Sequence, residues 1–149
     1  MNKYRTIGFK LTPQRLAILD YLEGNTLHPS ADDIYRSVLK KFPTMSFATV
    51  YTTLAALKQK GKVLELTVDP LKMRYDPETK NHSHLFCDAC NRIFDIPVGS
   101  PPELPEQFKR DFIVTKSHIE FRGICPECRK NSSEKIRKKY RKTRMNRTQ

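Results

Sequence analysis

Two Cys-X-X-Cys pairs, Cys87 with Cys90 and Cys125 with Cys128, stand 34 residues apart and account for every cysteine in the 149-residue chain. Each pair can turn two sulfurs toward one point, so the four together complete a tetrahedral zinc site with Zn–S bonds of about 2.3 Å. The chain between the pairs must then fold back until the two turns meet. A site of four cysteines leaves no position for water, so its expected role is to staple structure and not to do chemistry. Disulfides or redox pairs are the alternative use, and they belong mainly to exported or redox-active chains. No run approaches the roughly 18 apolar residues of a membrane span, and Met1-Asn2-Lys3-Tyr4-Arg5 lacks the apolar stretch of a secretory signal. The expected setting is the cytoplasm, with zinc on the cysteines and no membrane partner.

The net charge of +12 is unevenly distributed. Residues 1–77 carry twelve basic and seven acidic groups, residues 78–128 six and eight, and residues 129–149 ten and one. A tail such as Lys138-Lys139-Tyr140-Arg141-Lys142 either attracts phosphate with little sequence preference or is a solvated, disordered arm. The basic surplus of the first half belongs to a segment that should fold, and is the better pointer to DNA.

Thr12-Pro13 reads as an N-cap with proline at the first helical position, and Leu16, Leu19 and Leu22 recur at helical spacing until Gly24. Ser30 caps a second helix with Asp32 and Asp33 in its first turn, an apolar face of Ile34, Tyr35, Val38 and Leu39, and a stop at Phe42-Pro43. Ser46 caps a third, lined by Val50, Leu54 and Leu57 and closed by Gly61. Val63–Val68 reads as a strand, Asp69-Pro70 as a turn and Lys72–Asp76 as the return strand. Three helices and a hairpin predict a winged helix, whose third helix enters the major groove. A small helical bundle with an incidental hairpin is the bland alternative.

Pro77-Glu78-Thr79-Lys80-Asn81 is polar and poor in core residues, which makes 78–81 the natural linker between domains at 1–77 and 82–130, with a basic, disordered tail over 131–149. In the second half, His84–Cys87 and Arg92–Ile96 read as strands joined by the Asp88–Asn91 turn. A short helix is expected over Glu103–Arg110, and further strands over Phe112–Thr115 and His118–Phe121.

Two of the four histidines form His82-Ser83-His84. In an extended chain, positions i and i+2 share a face, so both imidazoles can reach one ion. Asp76 ends the wing, Asp95 lies on the neighbouring strand, and His28 sits in the first half. A site drawing on all of them would fix the two halves relative to each other, and mixed N/O ligands suit Fe(II), Mn(II) or Zn(II). On spacing alone they are equally read as ordinary surface histidines and acids. His118 by itself reads as a strand residue and not a ligand.

Together, Leu11-Thr12-Pro13-Gln14-Arg15, His28-Pro29-Ser30-Ala31-Asp32-Asp33-Ile34-Tyr35, Ser46-Phe47-Ala48-Thr49-Val50-Tyr51, His82-Ser83-His84-Leu85-Phe86-Cys87-Asp88-Ala89-Cys90 and Cys125-Pro126-Glu127-Cys128 resemble the ferric uptake regulator family of metal-responsive bacterial repressors. The resemblance covers Leu11–Cys128. It implies an α+β chain: an N-terminal winged-helix DNA-binding domain, then a C-terminal α/β dimerisation domain carrying the four-cysteine zinc site. It also implies a homodimer on a palindromic double-stranded operator. Tyr51 is then expected to contact bases, Arg15 and Ser46 to help place the backbone, and Thr49 and Thr52 to lie on the same DNA-facing helix. Thr52 departs from the Arg or Asn common in the family at that position, and a short hydroxyl cannot make Arg's bidentate contact to guanine.

Carried over position by position, the family's regulatory site falls on His28, Asp76, His82, His84 and Asp95, with iron or manganese as the regulatory metal. Asp at position 95 and Arg74-Tyr75-Asp76 resemble the peroxide-sensing branch. A further family site needs His and Asp where Asn81 and Ser83 stand. The function so implied is a metal-dependent repressor that releases DNA when peroxide, reacting at Fe(II), oxidises His28 or His82. Its rivals are an iron or zinc uptake regulator of the same family, a zinc-stapled DNA-binding module with no sensor, and a metal-dependent hydrolase. The chain shows no nucleophile motif and no general base outside the ligand set, so it is expected not to be an enzyme.

Overall fold

The computed structural model describes residues 10–97, 103–113 and 119–131. Its first half is built by three helices whose starts are fixed by side-chain caps. Thr12 accepts the Arg15 amide ahead of α1 (Pro13–Leu22). Ser30 and Asp33 form a reciprocal capping box at the head of α2 (Ala31–Leu39), each side chain satisfying the other's backbone N–H. Ser46 accepts the Thr49 amide ahead of α3 (Phe47–Gln59). Gly61, at φ 61°, turns the chain out of α3 in the left-handed conformation that glycine adopts freely.

The three helices close on one core of Ile18, Leu19, Leu22, Ile34, Val38, Val50, Leu54 and Leu57, with Val63 and Tyr75 from the segment that follows. Each large aliphatic side chain buried there contributes about 1.5–3 kcal/mol. β1 (Leu64–Leu66) pairs antiparallel with β2 (Arg74–Asp76), setting Leu64 opposite Asp76. This is the expected helix-helix-helix-hairpin order, with shorter strands. Pro70 has no amide to donate, and Asp69 Oδ1 accepts the Leu71 amide in an Asx turn, so pairing stops well before the tip.

The second half is a three-stranded sheet of order β4-β3-β5. β3 (Ser83–Cys87) and β4 (Ile93–Ile96) are the expected hairpin, and their register places His84 directly across from Asp95. β5 (Glu120–Gly123) runs parallel to β3 and brings Gly123 beside Cys87. Leu66 and Val68 from the wing pack against Phe86 and Ile93 of this sheet, so an apolar contact joins the two halves.

Three expectations need correction. α4 spans Glu106–Asp111, starting later than Glu103, because Leu104 precedes Pro105 and a residue before proline is driven out of the helical region. Phe112 and Ile113 follow that helix as irregular chain and not as strand, and are exposed, while 114–117 and His118 lie outside the described residues. The last strand is Glu120–Gly123, two residues later than expected, and a short helix α5 (Pro126–Asn131) begins inside the second cysteine pair. The basic segment from 132 onward also lies outside the described residues.

Candidate metal centres

His28 is fully buried in the loop between α1 and α2, where its backbone takes the left-handed φ of 49°. Asp76 ends β2, His82 immediately precedes β3, and His84 and Asp95 are the cross-strand pair of β3 and β4. These five side chains, from sequence positions up to 67 residues apart, each bring one ligand atom within 4.8 Å of all the others. His28 Nε2 lies 2.7 Å from Asp95 Oδ1 and 3.8 Å from Asp76 Oδ2. His82 Nε2 lies 2.9 Å from Asp76 Oδ2 and 3.4 Å from Asp95 Oδ1, and His84 Nε2 lies 3.2 and 3.7 Å from the same two oxygens. With metal–ligand bonds of about 2.1 Å, neighbouring ligands sit roughly 3 Å apart and opposed ones roughly 4.2 Å apart, which brackets most of this set.

The chemistry of the donors also fits a cation. Among the described residues, the buried side-chain nitrogens with no hydrogen-bond partner are His28 Nδ1, His28 Nε2 and His82 Nε2. His28 Nε2 is close to Asp95 yet off the line of a hydrogen bond, as expected of atoms aimed at a common centre and not at one another. Leaving such a group unsatisfied costs about 1–3 kcal/mol, and a metal ion relieves both Nε2 atoms at once. The opposite ring atom of His82, Nδ1, lies 2.7 Å from the Lys80 carbonyl. A carbonyl can only accept, so Nδ1 carries the proton and Nε2 presents its lone pair inward. Asp76 is oriented similarly: Oδ1 accepts the Glu78 amide at 2.8 Å, leaving Oδ2 for the centre.

Protonation follows from these surroundings. Burial lowers the His28 pKa against the pull of Asp95 and Asp76. Burial would also lower His82, but the Lys80 carbonyl and the carboxylates of Asp76 and Asp95 outweigh it and raise the pKa. Burial would raise Asp76, but the His84 hydrogen bond, the Glu78 amide and the neighbouring imidazoles hold it below the usual carboxylate range. Asp95 is the one member of the set with substantial exposure, 33% of its side chain.

The four cysteines form the second centre. Cys87 ends β3, Cys90 closes the following turn, and Cys125 and Cys128 flank the start of α5; all are free thiols within 4.8 Å of one another. Cys90 Sγ and Cys125 Sγ are 3.9 Å apart, close to the roughly 3.8 Å edge of a tetrahedron of sulfurs around zinc. The Cys125 amide points at Cys87 Sγ (3.3 Å) and the Cys128 amide at Cys125 Sγ (3.5 Å), the donors that thiolates need. The Cys128 backbone amide and thiol help hold Cys125 down to about 6, while the Cys125 and Cys90 thiols push Cys128 up to about 12. The opposed shifts show thiols crowded on one another, and a cation at their centre would let all four bind as thiolates. β3 carries members of both sets, with His84 and Cys87 three residues apart on one strand.

Residues 6–122 match the profile of the Ferric uptake regulator family. The chain belongs to that family. Over 131 residues it is 39% identical to the peroxide-responsive repressor PerR of Staphylococcus epidermidis, covering 87% of each chain. The Campylobacter jejuni peroxide stress regulator superposes with a TM-score of 0.61 at 28% identity, over 78% of this chain and 89% of that one. The Helicobacter pylori ferric uptake regulator, whose structure was described as having three functional metal binding sites, shares the fold with a TM-score of 0.66 at 23% identity and 88% coverage of both chains. Family membership makes this an α+β regulator of the ferric uptake class, whose two donor sets fit a structural zinc and a regulatory iron or manganese ion.

The side chains expected to meet DNA in such a regulator are placed less uniformly than the metal ligands. Tyr51 and Thr52 stand on the exposed face of α3, with half of Tyr51 open to solvent. The Ser46 hydroxyl is engaged with the amide of Thr49 and its hydroxyl, so Ser46 acts first as a cap. Thr52 donates to the Thr49 carbonyl. Arg15 reaches the Lys10 carbonyl at 2.9 Å. Phe47 was not anticipated on this face. It is 37% exposed and stands edge-on to both Tyr35 and Tyr51, at 4.9 and 5.1 Å between ring centres. Its position four residues before Tyr51 on the same helix was the available signal. Arg92 was also missed: its guanidinium approaches Cys90 Sγ at 3.5 Å and Cys125 Sγ at 3.7 Å, and pairs with Glu127.

Among the described residues no helix is long and apolar enough to cross a membrane.

Proposed function

We propose that the chain is a metal-dependent transcriptional repressor that binds operator DNA as a homodimer and releases it when peroxide oxidises its regulatory site. Residues 1–77 serve as the DNA-reading domain, 78–81 as the linker and 82–130 as the dimerisation domain, with Arg15, Ser46, Thr49, Tyr51 and Thr52 at the operator. The observation that carries this reading is the convergence of His28 from the first half with Asp76, His82, His84 and Asp95, in a cluster with orphaned imidazole nitrogens. The likeness to peroxide-responsive repressors over 87% of the chain supports the peroxide branch.

His28 is the ligand from the α1–α2 loop, so occupation of the site clamps that loop onto β3 and β4 and sets the winged helix in one orientation. Fe(II) bound there would supply the electrons that cleave the O–O bond of peroxide, whereas Mn(II) would bind without that chemistry. Asp95 provides the open side through which peroxide enters. The imidazoles of His28, His82 and His84 all project their Nε2 atoms into the centre, and those of His28 and His82 have no hydrogen-bond partner, which supports these two as the oxidised groups. A ring that gains oxygen is a poorer ligand, and losing His28 unclamps the loop. The cysteines do not participate, because their site is closed.

The test combines two measurements on the zinc-containing protein. Operator binding is followed with Fe(II), Mn(II) or Zn(II), with and without peroxide, and mass spectrometry then locates added oxygen. Loss of DNA binding only in the Fe(II) form, with oxygen on His28 or His82, is expected. Unmodified histidines with oxidised cysteines would sink the proposal, and metal-dependent binding indifferent to peroxide would mark an iron or zinc uptake regulator.

A further inference from the structure

We propose that Arg74 is a positioning residue that holds His28 in place before any metal arrives, by gripping the backbone of its loop from the β2 strand. Arg74 is buried, and a buried guanidinium is tolerated only when its donors are satisfied. Its donors reach three separate segments. Nε donates to the His28 carbonyl and Nη2 to the Leu27 carbonyl at 3.2 Å. Nη1 donates to Asp69 Oδ2 at 3.0 Å and to the Asn91 carbonyl at 3.2 Å. Asn91 lies in the turn just after Cys90 and is itself left-handed, at φ 57°.

Two consequences follow from that geometry. A non-glycine residue held at φ 49° costs of order 1 kcal/mol or more, and such a backbone persists only where its surroundings over-determine it. At His28 those surroundings are Arg74 together with the Tyr75 amide, which donates to the Pro29 carbonyl at 2.9 Å, and the bridge between Ser30 and Arg74. The same guanidinium ties the His28 loop to the turn that carries Cys90. The zinc-held turn therefore serves as an anchor from which the regulatory histidine is aimed. A lysine supplies the charge from a single nitrogen and cannot span acceptors arranged around a planar fork.

This inference rests on the five-residue site being the regulatory metal site, and the experiment separates the two. Arg74→Met and Arg74→Lys are compared with the wild type and His28→Ala. In the metal-free, zinc-containing proteins, amide exchange at Ser30 and Tyr75 is expected to rise in Arg74→Met while the sheet around Cys87 stays protected. Mn(II) affinity is expected to fall about ten- to a hundredfold, the range for losing a group that orients a ligand, with Arg74→Lys in between. After Fe(II) and peroxide, the share of added oxygen on His28 relative to His82 is expected to drop. Unchanged exchange, affinity and oxidation ratio in a folded Arg74→Met would overturn the inference. If Arg74→Met does not fold, Asp69→Asn decides: a smaller change in the same direction supports the role, and none overturns it. If the wild type itself binds no Mn(II), the regulatory-site reading fails, while the metal-free exchange data still decide on Arg74.

Discussion

Replacing His28 with alanine separates what metal contributes to stability from what the fold supplies alone. In the metal-free protein the substitution has two opposed effects. It deletes a fully buried ring and leaves a cavity, and it removes two unsatisfied ring nitrogens that cost about 1–3 kcal/mol each. It does not relieve the left-handed backbone, because alanine keeps the Cβ that strains it. The net change in metal-free stability is expected to stay within about 1 kcal/mol either way, as these terms are of similar size. With metal the balance is expected to be one-sided, because in the proposed site His28 is the ligand from the α1–α2 loop. At a free Mn(II) concentration a hundred times the wild-type Kd, binding stabilises the native state by about 2.7 kcal/mol. Losing one ligand is taken as at least a hundredfold weaker binding, more than the loss of an orienting partner. The same Mn(II) concentration then stabilises the variant by only about 0.4 kcal/mol. At about 2–4 °C per kcal/mol for a chain of this size, roughly 5–9 °C of the Mn(II)-induced rise in Tm should disappear. Thermal melts with and without Mn(II), on protein with intact zinc, measure this directly. An equal Mn(II)-induced shift in His28→Ala and wild type would show that the ion sits elsewhere.

Ser30→Ala breaks the capping box of α2 and should cost about 1 kcal/mol, read by chemical denaturation. Burial would raise the Asp33 pKa, but the Ser30 hydroxyl and amide and the nearby Lys72 and Arg74 hold it lower, so the cap's charge-dependent part is complete above about pH 4 and lost as pH falls through the depressed value. The gap between variant and wild type should narrow in acid. Tyr51→Ala should weaken operator binding by about 1–3 kcal/mol, with Phe47→Ala weakening it less by freeing the Tyr51 ring, and neither changing Mn(II) affinity. Gel-shift and calorimetric titrations distinguish these outcomes. Arg92→Gln withdraws a cation from two cysteine sulfurs, so zinc release under peroxide should accelerate severalfold in a chelator-dye assay. An unchanged rate would mean that backbone amides alone protect the thiolates.

Local signals explain why the first half was easy to read. Thr12-Pro13, Ser30 and Ser46 each cap the helix they announce, and Gly61 ends the third, because capping is decided within about four residues of sequence. His82 and His84 could be placed on one face from strand periodicity, and their ring centres lie 4.5 Å apart. Convergence with His28 was not legible in this way. The pairing of Arg74 with the Leu27 and His28 carbonyls carries that loop toward the sheet, and nothing in the spacing of residues 28 and 74 reveals it. The second half was harder for a related reason. Its last strand lies parallel to β3, a non-local pairing without a tight turn to announce it, and its position slipped by two residues.

That parallel strand has a consequence for the order of events during biosynthesis. The second cysteine pair arrives at least 35 residues after Cys90, and pairing β5 with β3 closes a long loop at an entropic cost of roughly 4 kcal/mol. The winged helix needs no such closure and can be complete while the chain is still being made. β5 precedes Cys125, and the five residues of the His/Asp set all precede β5, so capture of zinc by the four cysteines follows the wing, the β3–β4 hairpin and the pairing of β5 in order of emergence. A chain made without zinc would then have a finished winged helix and no clasp between the β3–β4 turn and the segment from β5 to α5.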